Sequence, residues 1–448
     1  MINRVLRYEG KMFISFSDQF FSMTPTIRCI FSIIPAVIIS LFMNSCSSSQ
    51  RMKKLVIQGH DNVINNLLSQ YPVNFDSVVK NRDHKVQIIY TQINRDKKNR
   101  PKFTDYSFNV DKSKYFYPAS MVKLPVAVLA LQRLNELKIK GLDKYTTMIT
   151  EADGDGQTVV YNDPTTEDGR PTIAHYIKKI LLASDNDAFN RLYEFLGQEY
   201  INTSLHEMGF KDVQIIHRLE ISLTEEQNRR TNPVRFIDTS SNQIYEQPAV
   251  VSKIIYANRD TKMGKGFIKV NELVNEPFDF SKKNRLTLED LHSILRAVIF
   301  PKSMPRKRKF MLHEDDYAFL YKYMSMYPSE STFPDYDSLK VNDTHVKFLF
   351  YGTESVAPVN QIRIFNKIGA AYGFLTDAAY IVDFKNNIEF MLTATVHCNN
   401  DGIYNDNKYE YDSVGYPFLK NLGKVIYEHE LNRNRTIAPD LTAFRFDW

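Results

Sequence analysis

Cysteine is scarce. Cys29, Cys46 and Cys398 are the three in 448 residues, too few and too unevenly spaced for a disulfide framework or a thiolate zinc site. No His-Glu-x-x-His and no Cys-x-x-Cys occurs, so a zinc hydrolase would lack its ligands and no metal is expected. Gly-x-Ser-x-Gly is missing as well, which removes the strained serine turn of one large hydrolase class. The 16 glycines are scattered and form no loop able to cradle a phosphate, so no nucleotide or other cofactor is expected. Charge of one sign is also lacking: 57 Lys and Arg stand against 52 Asp and Glu, a net +5 that makes no case for nucleic acid. The one basic run, Arg306-Lys307-Arg308-Lys309, reads as a solvated loop ahead of a contact with anionic lipid or glycan.

Long apolar runs are limited to one, from Cys29 to Met43. It falls short of the roughly 20 residues of a membrane span but suits the core of an export signal. It leads into Leu41-Phe42-Met43-Asn44-Ser45-Cys46, which resembles a loose bacterial lipoprotein box with Cys46 as the lipidated residue. A plain signal peptide or an anchor helix is the alternative. Glu9 and Asp18 sit badly in the basic start of a signal, so Met23 is the expected first residue, ahead of Met1 and Met12. Either way the remainder is expected to be exported, to the periplasm, and held at the membrane by a lipid anchor at Cys46.

What the chain has in plenty is core-forming sequence: 43% of it is apolar. Helix is expected from about Arg51 to Leu68. Lys85 to Ile93 and Phe103 to Val110 read as a hairpin around the charged stretch Asn94 to Pro101. Helices follow from Ser120 to about Leu137, Ile173 to Leu182 and Ala188 to Leu196, the last stopped by Gly197. Residues 229–285 look irregular, with mixed charge, prolines and short β-like pieces. Leu288, Leu291, Ile294, Leu295 and Val298 share one face of a helix from Thr287 to Ile299, and another helix runs from Asp315 to Met326. Strands at Gln361–Lys367, Ala378–Phe384 and Ile388–Val396 precede a last helix, Tyr416 to Leu431. Strands at both ends and helices between them predict one sheet shared by the termini, with a helical region inserted into it.

The chemistry lies in Ser120-Met121-Val122-Lys123, at the head of that third helix. A serine and a lysine three apart share a helix face. The first turn offers free N–H groups and a dipole that favours a developing negative charge. A hydroxyl that must lose a proton thus stands beside an amine able to take it. Downstream, Ser184-Asp185-Asn186 separates two helices. His175 and His217 carry no such pattern, and Cys398 reads as an unreactive thiol near a strand end.

Ser-x-x-Lys followed by Ser-Asp-Asn resembles the penicillin-binding proteins and class A β-lactamases, and the likeness runs from about Lys85 to Leu431. It implies an α+β fold (an α/β sandwich), an antiparallel sheet flanked by helices with an all-helical subregion. By the same likeness Ser120 is the nucleophile, and Lys123 takes its proton, or Glu220 does so through a water. Ser184 relays a proton to the leaving nitrogen, while Asn186 binds the substrate amide and orients Lys123, with Asp185 between them. Arg218-Leu219-Glu220-Ile221-Ser222-Leu223-Thr224 resembles the family's Ω-loop, whose glutamate holds the deacylating water. Thr224 stands where an asparagine is usual. Asn366-Lys367-Ile368-Gly369-Ala370 resembles the family's Lys-Thr-Gly strand, with Lys367 facing a substrate carboxylate, Gly369 in the binding segment and the Ala370 N–H in the oxyanion hole. Ile368 departs from the family's threonine and puts ordinary penicillin recognition in doubt. Tyr372-Gly373 with Thr376-Asp377 resembles the segment that follows. Tyr256-Ala257-Asn258 and Lys262-Met263-Gly264 mimic related motifs and are read as chance.

The expected organisation is a signal over 1–46, a linker and helix over 47–80, the hydrolase domain over 81–435 and a tail over 436–448, with an insertion at about 225–286. The leading expectation is a monomeric serine hydrolase opening a β-lactam or related amide through a Ser120 acyl-enzyme. A D-alanyl-D-alanine peptidase or other penicillin-binding amidase acting on cell-wall peptide is the rival within the class. A non-catalytic lipoprotein that binds peptidoglycan or a partner is the rival outside it.

Overall fold

The computed structural model describes residues 62–448. The export signal, Cys46, the alternative starting methionines and most of the helix expected from Arg51 lie outside these residues.

Five strands form the central sheet: β1 (Gln87–Arg95), β2 (Pro101–Phe108), β3 (Ile362–Ala371), β4 (Phe374–Asp383) and β5 (Ile388–His397). Their order is β3-β4-β5-β1-β2, antiparallel throughout. The β1–β2 hairpin turns over Asp96–Arg100, where the Asp96 carboxylate accepts the backbone N–H groups of Lys98 and Arg100, each at 2.9 Å. β1 then pairs with β5, Gln87 opposite Thr395, which joins the two ends of the chain in one sheet. Every residue of β4 and β5 is buried, as continuous apolar runs demand when both sheet faces are covered.

One face carries the helices Asn62–Ser69, Pro72–Val79 and Tyr416–Asn432, packed through Ile64, Phe75, Phe418 and Leu422 onto Ile364, Ile381 and Leu392. The other face carries Leu288–Ile299 and Glu314–Ser325, behind which lie Lys123–Leu137, Ile173–Ala183, Asn186–Leu196 and Gln198–Glu207. The fold is α+β, with the helical subregion inserted between β2 and β3.

Two expectations are refined. The short β-like pieces of the irregular stretch are paired strands: Val234–Ile237 pairs with Thr147–Thr150 on one side and Gln243–Gln247 on the other. Gly266–Lys269 pairs with Glu272–Val274 and with Ile403–Tyr404. Two of these pairings bridge long sequence separations, so no local periodicity announces them. Lys262–Met263, in the mimic read as chance, pairs with Phe278–Asp279, and no strand immediately precedes the lysine. The last residues are also more than a tail: Leu441 and Phe444 are buried in the helical-side core, and the Arg363 guanidinium stacks 3.8 Å over Trp448.

Candidate active site

The nucleophile region is built as a turn on a helix. Ala119–Val122 forms a 3-10 turn and the α-helix begins at Lys123, so Ser120 precedes the helix proper instead of occupying its first α-turn. Ala119 has φ +46°, a left-handed conformation that costs energy for a residue with a Cβ. β3 lies against this turn. A Cβ at Gly369 would stand 2.6 Å from Pro118 O and 2.9 Å from Met121 Cγ, so only glycine lets the strand come this close. Ala370 follows at the exposed end of the strand, paired with Leu375.

Ser184-Asp185-Asn186 is the joint between two helices. Ser184 ends Ile173–Ala183 with φ +56°, and Asp185 caps the next helix by accepting the Ala188 N–H at 2.7 Å. Lys179 lies 3.7 Å from the Asp185 carboxylate. The kink aims both neighbours of Asp185 at Lys123. The Lys123 Nζ lies 2.8 Å from Ser120 Oγ, 2.6 Å from Asn186 Oδ1 and 3.3 Å from Ser184 Oγ, and it also contacts the Ser184 carbonyl oxygen. The Asn186 Nδ2 in turn donates to Glu220 Oε2 at 2.5 Å, which fixes the amide with its oxygen towards the lysine.

The helix Asn186–Leu196 holds the whole Glu220 loop through one face, at i, i+4 and i+8. Asn186 takes Glu220. Asn190 brackets Leu219, donating to its carbonyl at 3.0 Å and accepting its N–H at 2.9 Å. Glu194 pairs with Arg218 at 3.0 Å. Arg218 also donates to the carbonyls of Gln227 and Arg230, so its buried guanidinium ties the loop shut. Glu220 itself is exposed to solvent at φ +58°, the left-handed geometry that this clamp maintains. Thr224 caps the short helix Glu225–Arg229, its hydroxyl accepting the Gln227 N–H at 3.1 Å. Asn190 and Glu194 were not singled out from the sequence. Their signal was an Asn-x-x-x-Asn-x-x-x-Glu spacing that places three polar residues on one helix face.

Lys367 reaches across from β3. Its ammonium donates to Ser184 Oγ at 2.8 Å and to the Ile368 carbonyl at 2.9 Å, so the Ser184 hydroxyl lies between two lysines. Ile368 points the other way and is buried beneath the C-terminal helix. Behind the strand lies a third lysine that sequence reading missed. Lys347 Nζ donates to the carbonyls of Met324 and Ile364 and to Asn366 Oδ1, at 2.6, 2.8 and 2.8 Å. Asn366 then donates to Asp377 at 2.9 Å. Lys347, Asn366 and Asp377 are all buried and satisfied, as a polar network inside a core must be.

Burial sets the charges. Lys123 is fully buried, and loss of hydration pulls its pKa down to about 7 against the opposing pull of the Asp185 and Glu220 carboxylates. Burial and the neighbouring Lys123 hold Lys367 well below the ordinary lysine range. Burial likewise lowers Lys347 to about 7 and raises the Asp377 carboxyl to about 7. His175 and His217 are not part of this arrangement. His175 bonds Thr165 at 2.7 Å, and burial holds its pKa near 4. His217 bonds the Arg218 carbonyl at 2.6 Å, and burial holds it near 4 as well. The buried Cys398 thiol is pushed up to about 12 by burial. Among the described residues no cluster of His, Cys, Asp and Glu fits a metal ion. A cavity of about 1030 Å3 lined by Gln132, Tyr200 and Arg306 contains none of these residues, so the site is defined by its side-chain chemistry and not by the size of a cleft.

The family model of the beta-lactamase enzyme family matches residues 62–429, most of the chain. The chain belongs to this family. No curated protein matches it. Similar solved structures include a beta lactamase from Xanthomonas campestris pv. campestris str. ATCC 33913, at 13% identity over 82% of this chain and 99% of that one, with a TM-score of 0.45. A class A beta-lactamase from Clostridium kluyveri DSM 555 is similar at 15% identity over 82% and 97%, TM-score 0.43. A beta-lactamase from Burkholderia phymatum is similar at 12% identity over 82% and 95%, TM-score 0.42. As a beta-lactamase family member the chain is a serine-hydrolase-type protein, and its Ser-x-x-Lys, Ser-Asp-Asn, Arg-x-Glu and Lys-x-Gly segments are those gathered around Lys123.

Proposed function

We propose that this protein is an acyl-transfer hydrolase that opens a β-lactam or related cyclic amide through an ester on Ser120. The observation that carries the reading is the set of partners around Lys123. A neutral amine has two N–H donors and one lone pair. Two of its four neighbours, the Ser184 carbonyl and Asn186 Oδ1, can only accept. They take the two donors and leave the lone pair free to accept the Ser120 hydroxyl at 2.8 Å. These contacts accommodate the neutral amine, and burial, which pulls the Lys123 pKa down to about 7, makes that form available near neutrality.

In the reaction, Ser120 Oγ attacks the carbonyl carbon while its proton passes to Lys123 Nζ. The Ala370 and Ser120 N–H groups receive the oxyanion. As the C–N bond breaks, Lys123 returns the proton through Ser184 Oγ to the leaving nitrogen. A water held by Glu220 then attacks the ester and Glu220 takes its proton; as the C–O bond breaks, that proton is returned to the Ser120 oxygen, restoring the hydroxyl and the Glu220 carboxylate. Lys367 places an N–H donor beside Ser184, and an anionic substrate there would favour its charged form against the burial that lowers its pKa. An ordered carboxylate one hydrogen bond from Asn186 supports turnover ahead of permanent acylation. We read the chain further, on its N-terminal sequence, as an exported monomer anchored through Cys46.

The test uses protein from about Ser47 onward with a chromogenic cephalosporin and a fluorescent penicillin. Turnover that disappears in Ser120→Ala supports the hydrolase. Stable labelling of Ser120 without turnover would replace it with a penicillin-binding peptidase. Absence of both labelling and turnover refutes the β-lactam reading.

A further inference from the structure

Residues 225–286 do more than decorate the fold, because their end is sewn onto the Glu220 loop. Asn284 Oδ1 accepts the N–H groups of Ile216 and His217, at 2.8 and 3.2 Å. The Asn284 N–H donates to His217 Nε2 at 3.1 Å, and Gln214 pairs with Arg285 as an antiparallel bridge. His217 also lies parallel to the ring of Tyr117, three residues before the nucleophile. Between loop and insertion this leaves a cavity of about 490 Å3. One wall is Ile221, Ser222 and Leu223, directly after Glu220, and the opposite wall includes Tyr256, Ser281 and Lys283.

The charges lining this cavity do not balance. Lys282 pairs with Glu225 at 3.0 Å. Asp279 accepts the Ser281 N–H at 2.8 Å, and this bonding holds its carboxyl below the usual range. His217 spends Nε2 on Asn284 and is held neutral by burial near pH 7. Arg229 donates only to the Ser252 carbonyl, and Lys283 has neither hydrogen-bond nor ion-pair partner for its ammonium among the described residues. Lys283 is half-buried and rests 5.9 Å from the ring centres of both Phe278 and Tyr372. Tyr372 follows Ala370 by two residues and meets Tyr117 edge-on at 5.0 Å. The unpaired ammonium thus stands where the cavity meets the end of β3. A partly desolvated cation without a counter-ion, beside serines able to donate, is a site for a carboxylate.

We propose that this cavity receives a carboxylate-bearing arm of the acyl donor, with Lys283 as its counter-ion. The idea rests on the Ser120 reading and adds a substrate class to it: amides that carry an acidic substituent away from the reacting bond. It also gives the insertion a role in specificity, since Phe278, Lys283 and Asn284 all come from it.

The test compares two β-lactams that differ by one carboxylate, benzylpenicillin and α-carboxybenzylpenicillin. On the full chain carrying Ser120→Ala, calorimetry reads binding without chemistry. The carboxylated probe is expected to bind at least about fivefold more tightly than the neutral one. Lys283→Gln should abolish that preference and Lys283→Arg should restore it, a pattern that simple loss of packing would not give. On protein with Ser120 intact, the ratio of acylation rates for the two probes should fall by a similar factor in Lys283→Gln. Equal binding of the two probes, binding of neither, or a preference that survives Lys283→Gln overturns the proposal. Failure of Ser120 to acylate, with the charge preference intact in Ser120→Ala, would count against the reaction and leave the cavity's assignment standing.

Discussion

Lowering the pH should stop Ser120 acylation by protonating Lys123. Burial brings this lysine from its ordinary 10.5 to about 7, so below neutrality each pH unit removes about nine-tenths of the remaining free amine. At pH 5 about 1% would remain neutral, which predicts acylation roughly 100-fold slower than on the plateau above pH 8. The protonated amine would also present a third N–H to the Ser120 hydroxyl and occupy the oxygen that has to attack. Replacement by arginine keeps a cation that never deprotonates. Replacement by methionine keeps most of the volume and removes the base. Both should lose about 10²–10⁴-fold in acylation at every pH, the usual contribution of a general base. The assay is rapid quench of protein with a β-lactam, followed by intact mass measurement of the acylated fraction between pH 5 and 9. The same shift has a stability signature. Between pH 7 and 10.5 the unfolded chain holds a proton on Lys123 that the folded chain has released, so unfolding free energy rises with pH across that window. The rise from this group is at most about 5 kcal/mol, and Lys123→Met should remove it. Acylation that is flat from pH 5 to 8, or an acid limb that persists in Lys123→Met, would refute the assignment.

Glu220→Gln should act on two steps. It removes a carboxylate that raises the Lys123 pKa, so the acylation limb moves to lower pH, while the ester accumulates and is visible by mass spectrometry; rapid clearance by this variant would take Glu220 out of the mechanism. Gly369→Ala places a Cβ 2.6 Å from Pro118 O, and the strand must retreat from the nucleophile turn; we expect at least a tenfold loss of acylation with a folded circular dichroism spectrum, and wild-type rates would show that the close approach is dispensable. Breaking the buried Glu194–Arg218 pair with Glu194→Gln should destabilise the protein by about 3–5 kcal/mol in denaturant unfolding. It should also slow deacylation more than acylation, because Arg218 ties the loop carrying Glu220; equal losses in both steps would argue against a loop-specific role.

Local sequence carried the elements with strong periodicity. The β1–β2 hairpin, the helix Leu288–Ile299 and the strands β4 and β5 were legible because their burial follows from alternation or from continuous apolar runs. The pairings of the short strands of 225–286 were not, since strands of two to five residues leave little pattern of their own and two of the partners, Thr147–Thr150 and Ile403–Tyr404, are distant in sequence. The candidate site divides in the same way. Ser120, Lys123, Ser184, Asn186, Glu220 and Lys367 could be singled out because their chemical types and order are distinctive. Asn190 and Glu194 could not, because an asparagine or a glutamate on a helix is ordinarily a solvated residue.

By itself the sequence determined which groups are present: one hydroxyl with an amine three residues away, a second lysine on a strand, and a carboxylate in a loop. It also determined the missing threonine at Ile368 and the absence of zinc-hydrolase ligand motifs. Only the tertiary structure decided that four oxygens crowd one buried lysine, that Ser184 lies between two lysines, and that Lys347 and Asp377 form a buried network behind the site. It alone brought Asn284 and Arg285 against the segment leading to Glu220 and left Lys283 with no counter-ion among the described residues. The reason is physical: a side chain's type is a local property, whereas its proton affinity depends on how much water and which charges the folded chain puts around it.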